Sequence, residues 1–310
     1  MIEPTLNYVL CPGPAVSRSG EAPRTDHRMA YWEWNATGNP DHPHVIVCVH
    51  GLTRQGRDFD TVARALAPHA RVVCPDVAGR GQSEWLADPA MYNVPQYAMD
   101  MVVLLQHLHA QHPVQTLDWV GTSMGGLIGM GLAGQPQLPL PAPIRRLLLN
   151  DVGPTVEWAA LQRISSYVGQ PVRFSSVEQA AAALRLISAG FGPHTDAQWL
   201  ALTAPMLTPL RDGGLGLHYD PAIGEPLRAM TQDDAAQGEA LVWQLYDQIT
   251  AQTLLLRGEQ SDLLSEATAQ AMQVRGPRAQ CVTLANVGHA PTLVAADQVQ
   301  IVQDFLLGKE

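Results

Sequence analysis

Short apolar runs recur along the first half of the chain, at residues 45–49, 71–75, 116–120 and 146–150, each followed by a Gly- or Pro-bearing loop and then a longer segment. The runs are continuous instead of alternating, as strands covered on both faces should be. Their alternation with longer segments predicts parallel strands joined by crossover helices. One such segment places Val94, Tyr97, Ala98, Met101, Leu104, Leu105 and Leu108 at steps of three and four, so that one helical face packs on the sheet. That helix should end near His112-Pro113. Residues 29–35 and 8–11 predict further strands in an antiparallel meander at the sheet edge.

The pattern changes after Pro154. Up to about residue 235 the chain reads as helical pieces broken by Gly190, Gly192-Pro193, Pro205, Pro209 and Gly213-Gly214. Strand and helix patterns then return, with strands at 252–257 and 280–284 and a closing helix at 294–307. The expected fold class is therefore α/β, a doubly wound, mostly parallel sheet. Its core comprises residues 1–153 and 236–310, with an inserted helical cap at 154–235. There is no internal repeat.

A length of 310 residues suits one large core with an insertion, and 46% hydrophobic against 15% charged residues suits a globular chain. The formal charge of −10, with no basic cluster, disfavours nucleic acid and anionic membrane surfaces as partners. Residues 1–17 carry neither a basic start nor a long apolar run, and no segment approaches the roughly 20 apolar residues of a membrane span, so a cytoplasmic protein is expected. Cys11, Cys48, Cys74 and Cys281 show no close pairing and read as ordinary thiols, not as a disulfide or a metal site. His42 and His44 lie in a Pro-flanked loop, and His107, His109 and His112 do not share a helical face, so no metal is expected. Residues 76–81 follow a strand but lack the third glycine of a dinucleotide fingerprint. They read as a tight loop near the rim of a site, and no cofactor is expected.

The chemistry concentrates at Gly121-Thr122-Ser123-Met124-Gly125, between the strand at 116–120 and a helix over 124–133. A sharp strand-to-helix turn lifts a serine hydroxyl clear of the sheet, and small neighbours keep the turn free of collisions. A phosphate loop is excluded because no Lys follows Gly126 where one is required. Serine needs a base, and His289 fits, in the loop between the strand at 280–284 and the last helix. The imidazole in turn needs a carboxylate. Asp262, after the strand at 252–257, is the first choice. Asp151, at the end of the strand at 146–150, is the alternative, although residues 150–154 equally suit a turn that launches the cap, and Glu259 competes from the Asp262 loop. Backbone N–H groups of Leu52, after His50-Gly51, and of Met124, at the helix start, are the candidate donors to an oxyanion. His50 reads as a hydrogen-bonding residue of that loop, not as a second base.

With His50-Gly51, Asp76-x-x-Gly79-x-Gly81-x-Ser83, the Ser123 turn with its extra Gly126, Arg257-Gly258-x-x-x-Asp262 and Gly288-His289 in register, the chain resembles the α/β-hydrolase superfamily from about residue 29 to 307. The resemblance implies eight mostly parallel strands, a cap after the sixth, and a Ser-His-Asp triad without cofactor. The chain order Ser123, Asp262, His289 agrees with the family's. Members with an aspartate nucleophile, the haloalkane dehalogenases and epoxide hydrolases, are set aside by Ser123.

Among serine members the chain looks most like small esterases, implying an acyl-enzyme route for a small to medium, largely apolar ester. Lactonases and hydrolases of carbon–carbon bonds in aromatic degradation share the motifs and stand as the alternative, with a non-catalytic binding protein third. Trp158, Tyr167, Phe191 and Trp199 could line an apolar pocket, though a cap core of their own is the commoner fate of such aromatics. Arg163, Arg173 and Arg185 could hold a substrate carboxylate, with solvated helix faces as the default. The expected partner is a small-molecule ester, and a homodimer is left open.

Overall fold

The continuous apolar runs become the middle of one eight-stranded sheet. The structure, a computed structural model, describes residues 2–16 and 24–308. In chain order the strands are β1 (Thr5–Pro12), β2 (Asp26–Trp34), β3 (His44–Val49), β4 (Arg71–Asp76), β5 (Thr116–Thr122), β6 (Ile144–Asn150), the short β7 (Leu207–Pro209) and β8 (Leu215–Leu217), then β9 (Gln252–Gly258) and β10 (Gln280–Leu284). The large sheet runs β1-β2-β4-β3-β5-β6-β9-β10. β1 and β2 pair antiparallel, as do β2 and β4; every other pair in the sheet is parallel.

The helices are α1 (Asp60–Leu66), α2 (Val94–Gln111), α3 (Met124–Ala133), α4 (Trp158–Tyr167), α5 (Val177–Ile187), α6 (Asp196–Thr203), α7 (Gly224–Ala229), α8 (Gln232–Asp247), α9 (Glu266–Val274) and α10 (Ala296–Leu307). They cover both faces of the sheet, so central strands are buried throughout their length. Along β3, Val45, Val47 and Val49 pack with α2 and α3, while Ile46 and Cys48 pack with α1 and α10. α2 starts where expected: the Asn93 side chain accepts the Gln96 N–H, and Pro95 occupies the first turn, where no N–H is needed.

Between β6 and β9 lie α4 to α7 and the β7–β8 ribbon. Helical pieces alone were expected there; the ribbon is an addition, formed across the Gly213-Gly214 turn with both glycines at positive φ. α8 begins at Gln232, inside the stretch assigned to the cap. Its Tyr246 belongs to the core beside α2 and α3 and bonds the Met272 carbonyl at 2.8 Å, so this helix packs with the sheet layer. Among the described residues, no helix is long and apolar enough to cross a membrane.

Parallel register sets the site. Val49 pairs with Gly121, Thr122 with Asn150, and Asn150 with Leu256. The loops that leave β3, β5, β6 and β9 therefore emerge side by side at the carboxyl edge, where α/β sheets put their chemistry.

At the far edge, Cys11, His27 and Asp100 bring one sulphur, one nitrogen and one oxygen within 4.8 Å of one another, all buried. His27 Nε2 meets Asp100 Oδ2 at 3.2 Å and Nδ1 meets the Gly13 carbonyl at 3.1 Å, which ties β2 to α2. Burial pushes the Asp100 carboxyl up. Burial alone would lower His27, but the bond to Asp100 and its charge, with the Gly13 carbonyl, lift it above its ordinary value. The folded pair thus holds its proton where the unfolded chain releases it. Its stabilisation is complete below about pH 6.5 and is lost as pH rises through the elevated folded value, with a slope of at most about 1.4 kcal/mol per pH unit. Buried His50 and His218, whose imidazoles burial holds below the ordinary value, push wild-type stability the other way over this range, so urea unfolding at pH 6 and pH 8.5 reads the pair from the difference between wild type and a His27 variant. His27→Gln should be about 3 kcal/mol less stable than wild type at pH 6, and the gap should narrow by pH 8.5.

Candidate active site

Ser123 sits at φ 52°, ψ −116° between β5 and α3, a conformation that costs a side-chain-bearing residue roughly 1–3 kcal/mol. Two glycines make the turn available. A methyl group on Gly121 would strike the Gly125 carbonyl, and one on Gly125 would strike the Val49 carbonyl of β3. The turn is held from outside by the Ser123 N–H to the Asn150 carbonyl at 3.0 Å.

The hydroxyl so presented lies 3.0 Å from His289 Nε2, and His289 Nδ1 lies 2.8 Å from Asp151 Oδ2. The imidazole is 15% exposed and the carboxylate fully buried, so solvent reaches this chain from the serine side. Asp151 is fixed by its own donors: Gly258 N–H to Oδ1 at 2.8 Å and Ser261 Oγ to Oδ2 at 2.6 Å. Its backbone is left-handed, φ 55°, which turns the side chain from β6 toward the histidine loop.

Asp262 is elsewhere. Its carboxylate is about half exposed and pairs with Arg163 of α4 at 2.6 Å. Glu259 instead accepts the Asn286 N–H at 3.0 Å, bracing the histidine loop from outside. The geometry thus brings together Ser123, His289 and the alternative acid, Asp151. The reason is local: Asp151 leaves the strand next to β5, whereas Asp262 lies four residues beyond Gly258, where the chain has already turned out toward the cap.

The loop after β3 is built around His50. Its Nε2 accepts the Val77 N–H at 3.0 Å, so the ring proton resides on Nδ1 and is donated to the Gly51 carbonyl at 2.7 Å. Burial, the largest influence, drives the imidazole down to about 3, and it stays neutral. Arg54 N–H also bonds the Gly51 carbonyl, at 3.2 Å. Because a trans peptide holds its C=O and N–H on opposite sides, pinning the Gly51 oxygen aims the Leu52 N–H the other way. Gly51 lies against Ser123: a Cβ on it would be 3.6 Å from the serine Cβ. Met124 opens α3, so its N–H has no intrahelical acceptor. Among the described residues neither amide has an acceptor.

Two polar residues not singled out from sequence complete the surroundings. Asn150 Nδ2 bonds Thr122 Oγ1 at 3.0 Å and the Pro291 carbonyl at 2.8 Å, joining the serine strand to the histidine loop. Arg80, between Gly79 and Gly81, is fully buried and donates to the Leu52 carbonyl at 2.8 Å. From the cap, the Gly190 carbonyl accepts the Gly288 N–H at 2.6 Å. Phe191 stacks on Trp199, ring centroids 6.2 Å apart, and Trp199 is buried, whereas Tyr167 is about half exposed. Arg163, Arg173 and Arg185 each pair with an aspartate, Asp262, Asp212 and Asp196 respectively.

The fold agrees with that of the chain's relatives. Residues 46–300 match the model of the alpha/beta hydrolase family. The chain is 50% identical over 308 residues to the 3-hydroxybutyrate-oligomer hydrolase of Cupriavidus necator, covering 98% of each. It is 26% identical to the pimeloyl-[acyl-carrier protein] methyl ester esterase of Xanthomonas campestris, over 83% of this chain and 92% of that one. The crystal structure of an α/β-hydrolase from Novosphingobium aromaticivorans superposes with a TM-score of 0.80 at 34% identity, covering 99% of both chains. The chain belongs to the α/β-hydrolase family, and it is a hydrolase.

The Ser123 turn makes a contrast between two glycines of α3 decisive. Gly125→Ala must push into the Val49 backbone and should cost about 3 kcal/mol or more. Gly131→Ala, whose added methyl meets nothing within 4 Å, should gain up to about 1 kcal/mol from helix propensity. Urea unfolding of both variants checks the pair.

Proposed function

We propose that this protein hydrolyses carboxylic esters with Ser123 as nucleophile, His289 as base and acid, and Asp151 as the group that orients and balances the imidazole. The observation that carries the reading is the unbroken chain from Ser123 Oγ to His289 to buried Asp151, at 3.0 and 2.8 Å. His289 Nε2 takes the hydroxyl proton as Oγ bonds to the ester carbonyl carbon. The carbonyl oxygen becomes an oxyanion facing the Leu52 and Met124 N–H groups. Collapse expels the alcohol oxygen, which leaves with the proton from Nε2, and an acyl-serine remains. Water then attacks the acyl carbon and gives its proton to Nε2. The second collapse releases the acid and returns that proton to Oγ.

The substrate class we infer is a short oligoester of 3-hydroxybutyrate, a linear chain in which each cleavage yields one hydroxyl and one carboxylate end. Half of the residues are shared with the Cupriavidus necator oligomer hydrolase along nearly the whole of both chains, cap included, and this supports the assignment.

The test is release of 3-hydroxybutyrate from its linear trimer, alongside hydrolysis of p-nitrophenyl butyrate. Ser123→Ala should abolish both activities and labelling by an alkyl phosphonate. Asp151→Asn should lower kcat by about 10³-fold or more, while Asp262→Asn should stay within about threefold of wild type. Undiminished turnover in Ser123→Ala, or the opposite ranking of the two aspartates, would overturn the mechanism. Hydrolysis of the nitrophenyl ester with no action on the trimer would overturn the substrate class alone.

A further inference from the structure

Arg80 is a cation placed where a loop sequence would leave it in water. It is fully buried between two glycines of positive φ, Gly79 at 81° and Gly81 at 51°. Its nitrogens find no carboxylate among the described residues. Nε donates to the Leu52 carbonyl at 2.8 Å, and Nη1 to the Ala78 carbonyl at 2.6 Å and to Tyr97 Oη at 2.9 Å; Nη2 contacts Met124 Sδ at 3.6 Å. The guanidinium lies 4.9 Å from the Tyr97 ring centroid and 5.7 Å from that of Tyr92. The nearby acid, Asp220, is engaged by the Tyr92 hydroxyl at 2.6 Å and by the Ala222 N–H at 2.9 Å.

A buried charge is expensive unless it is paired. Here carbonyl dipoles and ring faces hold it, and no bonded counter-charge cancels its field. Arginine keeps its charge across the working pH range. Two of its four polar contacts are with Leu52 and Met124, the residues whose N–H groups face the developing oxyanion in the reading above. Its charge is already felt in that loop, where it opposes protonation of His50.

We propose that Arg80 is a positioning residue for the oxyanion: it locks the Leu52 peptide through its carbonyl and sets a fixed positive potential behind the two N–H donors. The inference rests on the ester-hydrolase reading of the same site. A neutral ester carbonyl gains little from such a potential and a tetrahedral anion gains much, so the effect falls on kcat and leaves KM in place.

The experiment compares wild type with Arg80→Met, Arg80→Lys and Tyr97→Phe, on p-nitrophenyl butyrate and on inhibition by an alkyl trifluoromethyl ketone, which forms a tetrahedral anion on serine. Arg80→Met should lower kcat by about 10–100-fold with KM within about threefold, and weaken the ketone in proportion. Arg80→Lys should recover part of both, since it restores charge without the fork. Tyr97→Phe, which removes one Arg80 partner, should lower both by a few-fold. An unchanged kcat, a rise in KM alone, or a lower kcat with unchanged ketone affinity overturns the proposal. If circular dichroism shows Arg80→Met unfolded, Arg80→Lys and Tyr97→Phe decide by the same measurements. Ser123→Ala separates the two readings. Activity surviving in it sinks the ester-hydrolase mechanism, whereas an inactive Ser123→Ala beside a fully active Arg80→Met sinks only the role of Arg80.

Discussion

The contact between the Val49 carbonyl and Gly125 is the constraint on which the site depends. β3 and β5 are neighbours in the sheet, and α3 must start so close to the end of β3 that no side chain fits between them. That approach holds Ser123 in its left-handed turn and leaves the α3 amides pointing at the space above the sheet. It also brings the His50-Gly51 loop, which β3 feeds directly, against the serine. The Ser123 turn and the placing of the Gly51 loop against it are thus two outcomes of one packing event between adjacent parallel strands.

The other half of the site comes from β6, β9 and β10, and it is joined to the first half by polar bonds. Asn150 spans from Thr122 to the Pro291 carbonyl. Asp151 collects a backbone amide from the end of β9 and the Ser261 hydroxyl beside its bond to His289. A carboxylate this buried is sustained by the number of donors around it. The same donors leave it one free direction, toward the imidazole.

Much of this was legible in the chain. The sheet strands and the Ser123 and His289 loops follow from apolar runs and from loop position, because burial on both faces and the strand-to-helix turn impose strong local patterns. The carboxylate bonded to His289 did not follow so simply. Asp151 and Asp262 both follow strands at the right edge, and what separates them is non-local: Asp262 is drawn outward by Arg163 of α4, and Asp151 inward by the Gly258 amide and the Ser261 hydroxyl, which arrive about a hundred residues later in sequence. A left-handed aspartate carries no mark in sequence as a glycine would. Arg80 hid for a similar reason. Residues 76–81 read as a tight loop near the rim of a site, and what buries Arg80 is the distant Leu52, Tyr92, Tyr97 and Met124 that gather around it. The β7–β8 ribbon escaped because strands of three residues are too short to show alternation.

The bond from Gly190 to Gly288 ties the segment between β6 and β9 to the histidine loop. It does not stand apart from the site, because the Gly190 carbonyl carries one of the hydrogen bonds on which the histidine loop hangs. The two are therefore coupled: a change in this segment that displaced Gly190 would also displace the loop that carries the His289 imidazole. Exchanging residues 154–235 would thus alter the seat of His289 along with the space beside Ser123.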